Sequence, residues 1–124
     1  MIWRRSRLSH ALAESTKSWI VDTGATKHMT GMQAWFLEIR EPSRPMVVVL
    51  GDNSELKVAG LGTVTIQTEN GESLKLEEVL HVPGLKKNLL SFTQAVDSGV
   101  QINILQGDMK LQAPGSEAIM TAKR

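Results

Sequence analysis

From Trp19 onward the chain is built of short apolar runs parted by turn-forming residues, and most of the runs alternate with a period of two. "SWIVD" (Ser18 to Asp22) is the first, and "FLEI" (Phe36 to Ile39) is a weaker one after the polar turn around Lys27 to Gly31. "MVVVLG" leads into the turn "DNS", and "ELKVAGLGTVTIQT" returns with Leu56, Val58, Val64 and Ile66, which predicts a hairpin with a long second arm. "ENGE" (Glu69 to Glu72) holds Asn-Gly, whose residues accept the positive φ of a type I′ turn, so "SLKLEEVLHV" follows as a paired strand. In "NLLSFTQAVDSG" the residues Leu89, Leu90, Phe92, Ala95 and Val96 recur at roughly helical spacing, with Gly99 placed to end the helix. "VQINILQ", "MKLQ" and "AIMTA" close the chain as short strands. The pattern predicts an all-β body with one short helix, of barrel or sandwich type.

With 124 residues, 41% of them hydrophobic, the chain is expected to form one small domain over residues 18–124. Residues 1–17 carry Arg4, Arg5 and Arg7 with no continuous apolar segment after them, so they are read as a basic linker or loosely docked arm rather than a secretory signal. A core of this size is thin enough that burying more apolar surface in a dimer is an economical route to stability. Lys and Arg number 14 against 13 Asp and Glu, which gives no overall field to draw the domain onto nucleic acid or an anionic membrane. The absence of cysteine removes disulfides and thiolate metal sites, and runs such as "MVVVL" are too short to span a bilayer.

The chemically unusual feature is Asp22, a carboxylate at the end of an apolar strand, followed by Thr23 and Gly24. A lone buried anion costs several kcal/mol, so this one needs hydrogen bonds, a partner charge or a shifted pKa. A purely structural account is a turn in which Asp22 caps the backbone, Thr23 adds a hydroxyl and Gly24 supplies a strained φ. An Asp-Thr-Gly tripeptide alone does not separate this from a catalytic role.

Its wider context does more. "WIVDTGATKHMT" (Trp19 to Thr30), "VVVLGDNSELKVAGLGTV" (Val47 to Val64) and "LEEVLHVPGLKKNLLSFTQAVDSG" (Leu76 to Gly99) stand in the order and spacing of one family. Over Ser18 to Gly99 the chain resembles the retropepsin-like aspartic protease region of copia-type LTR-retrotransposon polyproteins. The resemblance implies a small closed β-barrel with a flap hairpin, and an aspartic endopeptidase that processes its own Gag-Pol polyprotein. It implies that Asp22 is catalytic, that Thr23 locks paired active-site loops, and that Gly24 lets backbones approach. The flap tip would be Leu50, Gly51, Asp52, Asn53 and Ser54, closing over a peptide bound as an added strand. Ala25 and His28 would support the active-site loop, with Val82 and Gly84 supplying the apolar-apolar-Gly motif before the helix.

Aspartic proteolysis uses two carboxylates sharing a proton, and the only other match by letter, Asp97-Ser98-Gly99, follows a helical pattern and reads as a helix end. A homodimer contributing Asp22 twice is therefore expected. The expected partners are a second copy and a polypeptide substrate, without nucleic acid or membrane, and the expected setting is a cytoplasmic virus-like particle. No cofactor or metal is expected, since His10, His28 and His81 lack ligand spacing. Lys86, Lys87, Arg40 and Arg44 read as a solvated face, with aromatics at only 4% for base stacking. Gly60 and Gly62 read as bends in a curved strand rather than a phosphate loop. The competing account is a non-catalytic β-barrel module, a polyprotein fragment or host-retained derivative that dimerises or binds peptide.

Overall fold

A computed structural model describes residues 2–4, 18–67, 73–105, 108–112 and 120–122. In chain order these form β1 (Ile2–Arg4), β2 (Ser18–Asp22), β3 (Met29–Thr30), a 3-10 turn (Gln33–Trp35), β4 (Phe36–Arg40), β5 (Val47–Val49) and β6 (Glu55–Lys57). There follow β7 (Gly60–Gln67), β8 (Ser73–His81), β9 (Asn88–Ser91), helix α1 (Phe92–Asp97), β10 (Gln101–Leu105), β11 (Asp108–Gln112) and β12 (Met120–Ala122). The regular elements of the described residues are thus strands, apart from one 3-10 turn and a single short α-helix.

Seven strands form one sheet in the order β1-β2-β9-β3-β8-β7-β4, beside a three-stranded sheet β10-β11-β12 and the two-stranded hairpin β5-β6. The expected closed barrel is not formed among the described residues, because the large sheet ends on β1 and β4, which do not pair with each other. Within the basic N-terminal arm, β1 pairs antiparallel with β2, Trp3 opposite Trp19.

Alternation sets the core. Leu74 and Leu76 of β8 are fully buried between exposed Ser73, Lys75 and Glu77, and they meet Val64 and Ile66 of β7. Trp19 and Trp35 join this cluster edge to face, with ring centroids 5.6 Å apart at 80°. The alternation slips at Glu77 and Glu78, where the β7 register shifts between Gly62 and Val64 and Glu78 takes φ 55°. Beyond this bulge Val79 enters the main cluster, while Leu80 packs with Met29, Val58 and Val82 in a second cluster beside the β5-β6 hairpin. Gly62 is required by the close approach of β4, since a Cβ there would overlap the carbonyl oxygen of Glu38.

Two predicted elements take a different form. The long second arm breaks after β6, where Val58 N still donates to Met46 O of the hairpin at 3.0 Å but Ala59 N donates to His81 O of the main sheet at 2.8 Å. Leu89 and Leu90 lie in strand β9 rather than in the helix, because β9 is inserted between β2 and β3 and its Leu90 is fully buried. Leu90 packs into the main cluster and Leu89 against the second, so this short strand does not alternate and its leucines fall into helical spacing with Phe92 onward. The helix that follows ends as expected: Ser98 is its C-cap, and Gly99 beyond it adopts φ 96°. The β7-β8 hairpin forms with Gln67 opposite Ser73, while the Asn70-Gly71 turn lies outside the described residues.

Candidate functional site

β2 and β9 run parallel, so both reach the same end of the sheet, and Asp22 stands opposite Ser91. There the chain leaves β2 for a loop that returns as β3, while β9 passes directly into α1. Ser91 is fully buried and joins the two: its hydroxyl donates to Ala25 O at 2.7 Å and accepts from Gln94 N at 3.0 Å as the helix N-cap. Its own N–H donates to His28 Nδ1 at 2.9 Å. His28 is buried at 2% exposure, and desolvation, with a smaller effect from the Lys27 cation, lowers its pKa to about 4. With Nδ1 accepting, the ring is neutral and carries its proton on Nε2.

Gln94 completes the support. Its side-chain oxygen accepts from His28 N at 2.7 Å, and its amide nitrogen donates to Glu77 O at 3.0 Å and Glu78 O at 3.3 Å. The β8 bulge frees those carbonyls from the ladder, so one side chain ties the bulge, the helix and the end of the Asp22 loop together. Next to it, Thr30 Oγ1 donates to Asn88 Oδ1 in a buried contact between β3 and β9. The loop is thereby fixed at Ala25, His28 and Thr30.

Between this loop and the β5-β6 hairpin lies a cleft of about 650 Å³ lined by Asp22, Gly24, Ala25, Thr26, Lys27, Met29, Met46 to Gly51, Leu80 and Leu89. Asp22 is half-buried, and its Oδ1 accepts from Gly24 N at 2.7 Å, the hydrogen bond of an Asx turn. Thr23 is exposed and does not line the cleft. Gly24 lacks the left-handed φ that a strained turn would need, and a Cβ would lie 3.4 Å from Asp22 Oδ1, an ordinary contact within the chain. Of the five predicted flap residues, Leu50 and Gly51 reach the cleft. Asp52, Asn53 and Ser54 build the turn instead: Asp52 Oδ1 accepts from Ser54 N at 3.0 Å and from its hydroxyl, and Asn53 takes φ 68°. These bonds hold the Asp52 carboxyl below its ordinary pKa.

Val82 and Gly84 do not line the cleft: Val82 is buried behind its wall in the second apolar cluster, and Gly84, at φ 93°, lies against Leu56 of the hairpin. The strand that leads into the helix beside Asp22 is Asn88–Ser91, so Leu89-Leu90-Ser91 occupies the place expected for Val82-Pro83-Gly84. Ser91, Gln94, Asn88 and Lys27 are the residues that sequence reasoning did not select. Asp97 ends α1 and lies outside the cleft.

Residues 19–100, from the first buried strand through the helix and its C-terminal glycine, match the family described as Pol polyprotein, beta-barrel domain. The chain belongs to that family. The β-barrel domain is similar to the Retrovirus-related Pol polyprotein from transposon TNT 1-94 of Nicotiana tabacum, 36% identical over 80 residues, which are 64% of this chain and 6% of that polyprotein. It is 26% identical over 110 residues to the polyprotein from transposon RE1 of Arabidopsis thaliana, covering 87% of this chain and 7% of the relative. To that from transposon RE2 of the same plant it is 31% identical over 88 residues, 70% of this chain and 6% of the relative. The chain therefore spans a small part of the length of the curated relatives it matches.

Proposed function

We propose that this domain is a retropepsin-like aspartic endopeptidase that acts as a homodimer and cuts the polyprotein of its element, in the cytoplasmic particle that the element assembles. The observation that carries the reading is that Asp22 is the only carboxylate among the described residues lining a cleft roofed by a hairpin. Two such chains related by a twofold axis would bring two Asp22 carboxylates together, and like charges a few ångströms apart share one proton. The ionised member takes a proton from water as the water oxygen attacks the scissile carbonyl, and the protonated member donates to the carbonyl oxygen. The diol then collapses, the C–N bond breaking as the first carboxyl passes its proton to the leaving nitrogen and the second recovers one from a diol hydroxyl. Thr23, exposed in one chain, is free to bond the opposite loop, and Gly24, which meets only Asp22 in its own chain, leaves room for that loop. The hairpin tip at Leu50 and Gly51 would cover an extended peptide and exclude water.

One contact favours a second reading. Asp22 Oδ1 is already satisfied by Gly24 N, so the same residues also make a turn cap in a module that binds peptide or dimerises without cutting. Cleavage of a peptide library taken from the polyprotein, at mildly acid pH and with pepstatin as a control, separates the two. The protease reading predicts cutting that is lost in Asp22→Asn. Inert wild-type protein that still binds the peptides would establish the module instead.

A further inference from the structure

The cleft has mixed walls, an apolar set of side chains beside Thr26, one acid and one base. Met29, Met46, Val48, Leu80 and Leu89 supply much of its wall, and the ionisable side chains that line it are Asp22 and Lys27. Lys27 is exposed, and among the described residues it forms no ion pair, with Asp22 or with any other acid. Of the other cations, Arg40 pairs with Glu78 and Lys75 lies 3.6 Å from Glu77, while Lys57, Lys86 and Lys87, also without an ion pair among the described residues, do not line the cleft. The backbone on either side of Lys27 is held, by Ser91 to Ala25 on one side and by Gln94 to His28 on the other. Lys27 is therefore an unneutralised cation on a fixed root at the wall of the cleft. Its field reaches inward, since it contributes to the depressed proton affinity of His28.

We propose that Lys27 is a specificity-determining residue, selecting peptides that carry an acidic side chain next to the apolar residues seated in the cleft. The proposal rests on the reading of the cleft as a peptide site. A peptide Glu or Asp finds a partner in Lys27, whereas a peptide Lys or Arg meets a like charge. In a twofold dimer the cation occurs twice, so the preference extends to both ends of the bound peptide.

The test is a binding measurement in the Asp22→Asn background, which removes both cutting and the cleft's own anion. Fluorescent apolar peptides carrying a single Glu, Gln or Lys, moved through each position in turn, are titrated by anisotropy at pH 7 and low salt. At one or more positions Glu should bind about two- to fivefold tighter than Gln, the range of an exposed ion pair. Adding Lys27→Glu should invert the order so that Lys binds better than Gln, and adding Lys27→Met should abolish it. An unchanged Glu-to-Gln ratio in both Lys27 variants, or no binding of any peptide, overturns the proposal. The same peptides offered to protein with Asp22 intact keep the two readings apart. Binding that follows Lys27 without any cutting defeats the protease and leaves this proposal standing, whereas cutting indifferent to peptide charge does the reverse.

Discussion

Ser91 stands opposite Asp22 across the parallel β2-β9 pair, and its hydroxyl donates to Ala25 O, three residues along the loop from the carboxylate, at 2.7 Å. The same oxygen caps α1 by accepting from Gln94 N. Ser91→Ala removes both bonds from a fully buried site and should cost about 2 kcal/mol of unfolding free energy, read by urea denaturation. Ser91→Thr, which keeps the hydroxyl but adds a methyl where there is no exposed surface, should recover part of that loss. Equal stabilities for Ser91→Ala and wild type would remove the hydroxyl from the account.

Gln94 is the second tie. It bonds His28 N through its oxygen and the bulge carbonyls of Glu77 and Glu78 through its nitrogen. Gln94→Glu keeps the acceptor and loses the donors, so it should lose about 1 to 3 kcal/mol. Gln94→Ala, which gives up all of these bonds, should be the less stable of the two. Amide hydrogen exchange should report the added opening at His28 and in the segment around Glu77.

His28 sets a pH dependence whose sign follows from its environment. Its pKa is lowered from 6.5 to about 4, so above pH 6.5 the ring is neutral in folded and unfolded chains alike. Below that the unfolded chain takes up the proton while the folded one resists it. Stability should therefore fall between pH 6.5 and about 4, by up to about 3 kcal/mol. His28→Asn presents a side-chain oxygen close to the place of Nδ1 and does not titrate, so its stability should be flatter across that window. A variant as pH-sensitive as wild type would assign the slope to other groups.

Gly62 is the position where backbone meets backbone. A Cβ there overlaps Glu38 O, a backbone atom that can give way only if β4 moves. Gly62→Ala should displace β4 and cost more than about 3 kcal/mol, at the upper end of overpacking. Gly51→Ala, where a Cβ meets nothing within 4 Å, serves as the neutral control by thermal melting.

The residues that were legible are those whose signal is local. An apolar run ending in Asp22, the Asp52-Asn53 turn and Gly99 after an amphipathic stretch each announce themselves within a few residues, and each is found in place. The residues that were not legible act across distance. Ser91 and Gln94 lie 66 positions from the loop atoms they hold, and Asn88 lies 58 from Thr30, so nothing in the neighbouring sequence marks them. β9 was masked by its own burial, since a strand covered on both sides loses the alternation that identifies strands. The apolar-apolar-Gly pattern points to Val82-Pro83-Gly84, whereas Leu89-Leu90-Ser91 is the segment that parallel pairing brings to Asp22. Lys27 reads as one of many surface lysines until the fold turns it toward the cleft.

In the proposed dimer two Asp22 side chains from two chains make one catalytic centre, and subunit mixing tests this most directly. Wild-type and Asp22→Asn protein are combined in equal amounts, allowed to exchange subunits, and assayed against a cleavable polyprotein peptide at fixed total concentration. If catalysis needs both carboxylates, only wild-type homodimers cut, and the rate should fall to about one quarter of that of wild type alone. A rate of about one half, the value for chains acting singly, would contradict a shared dyad.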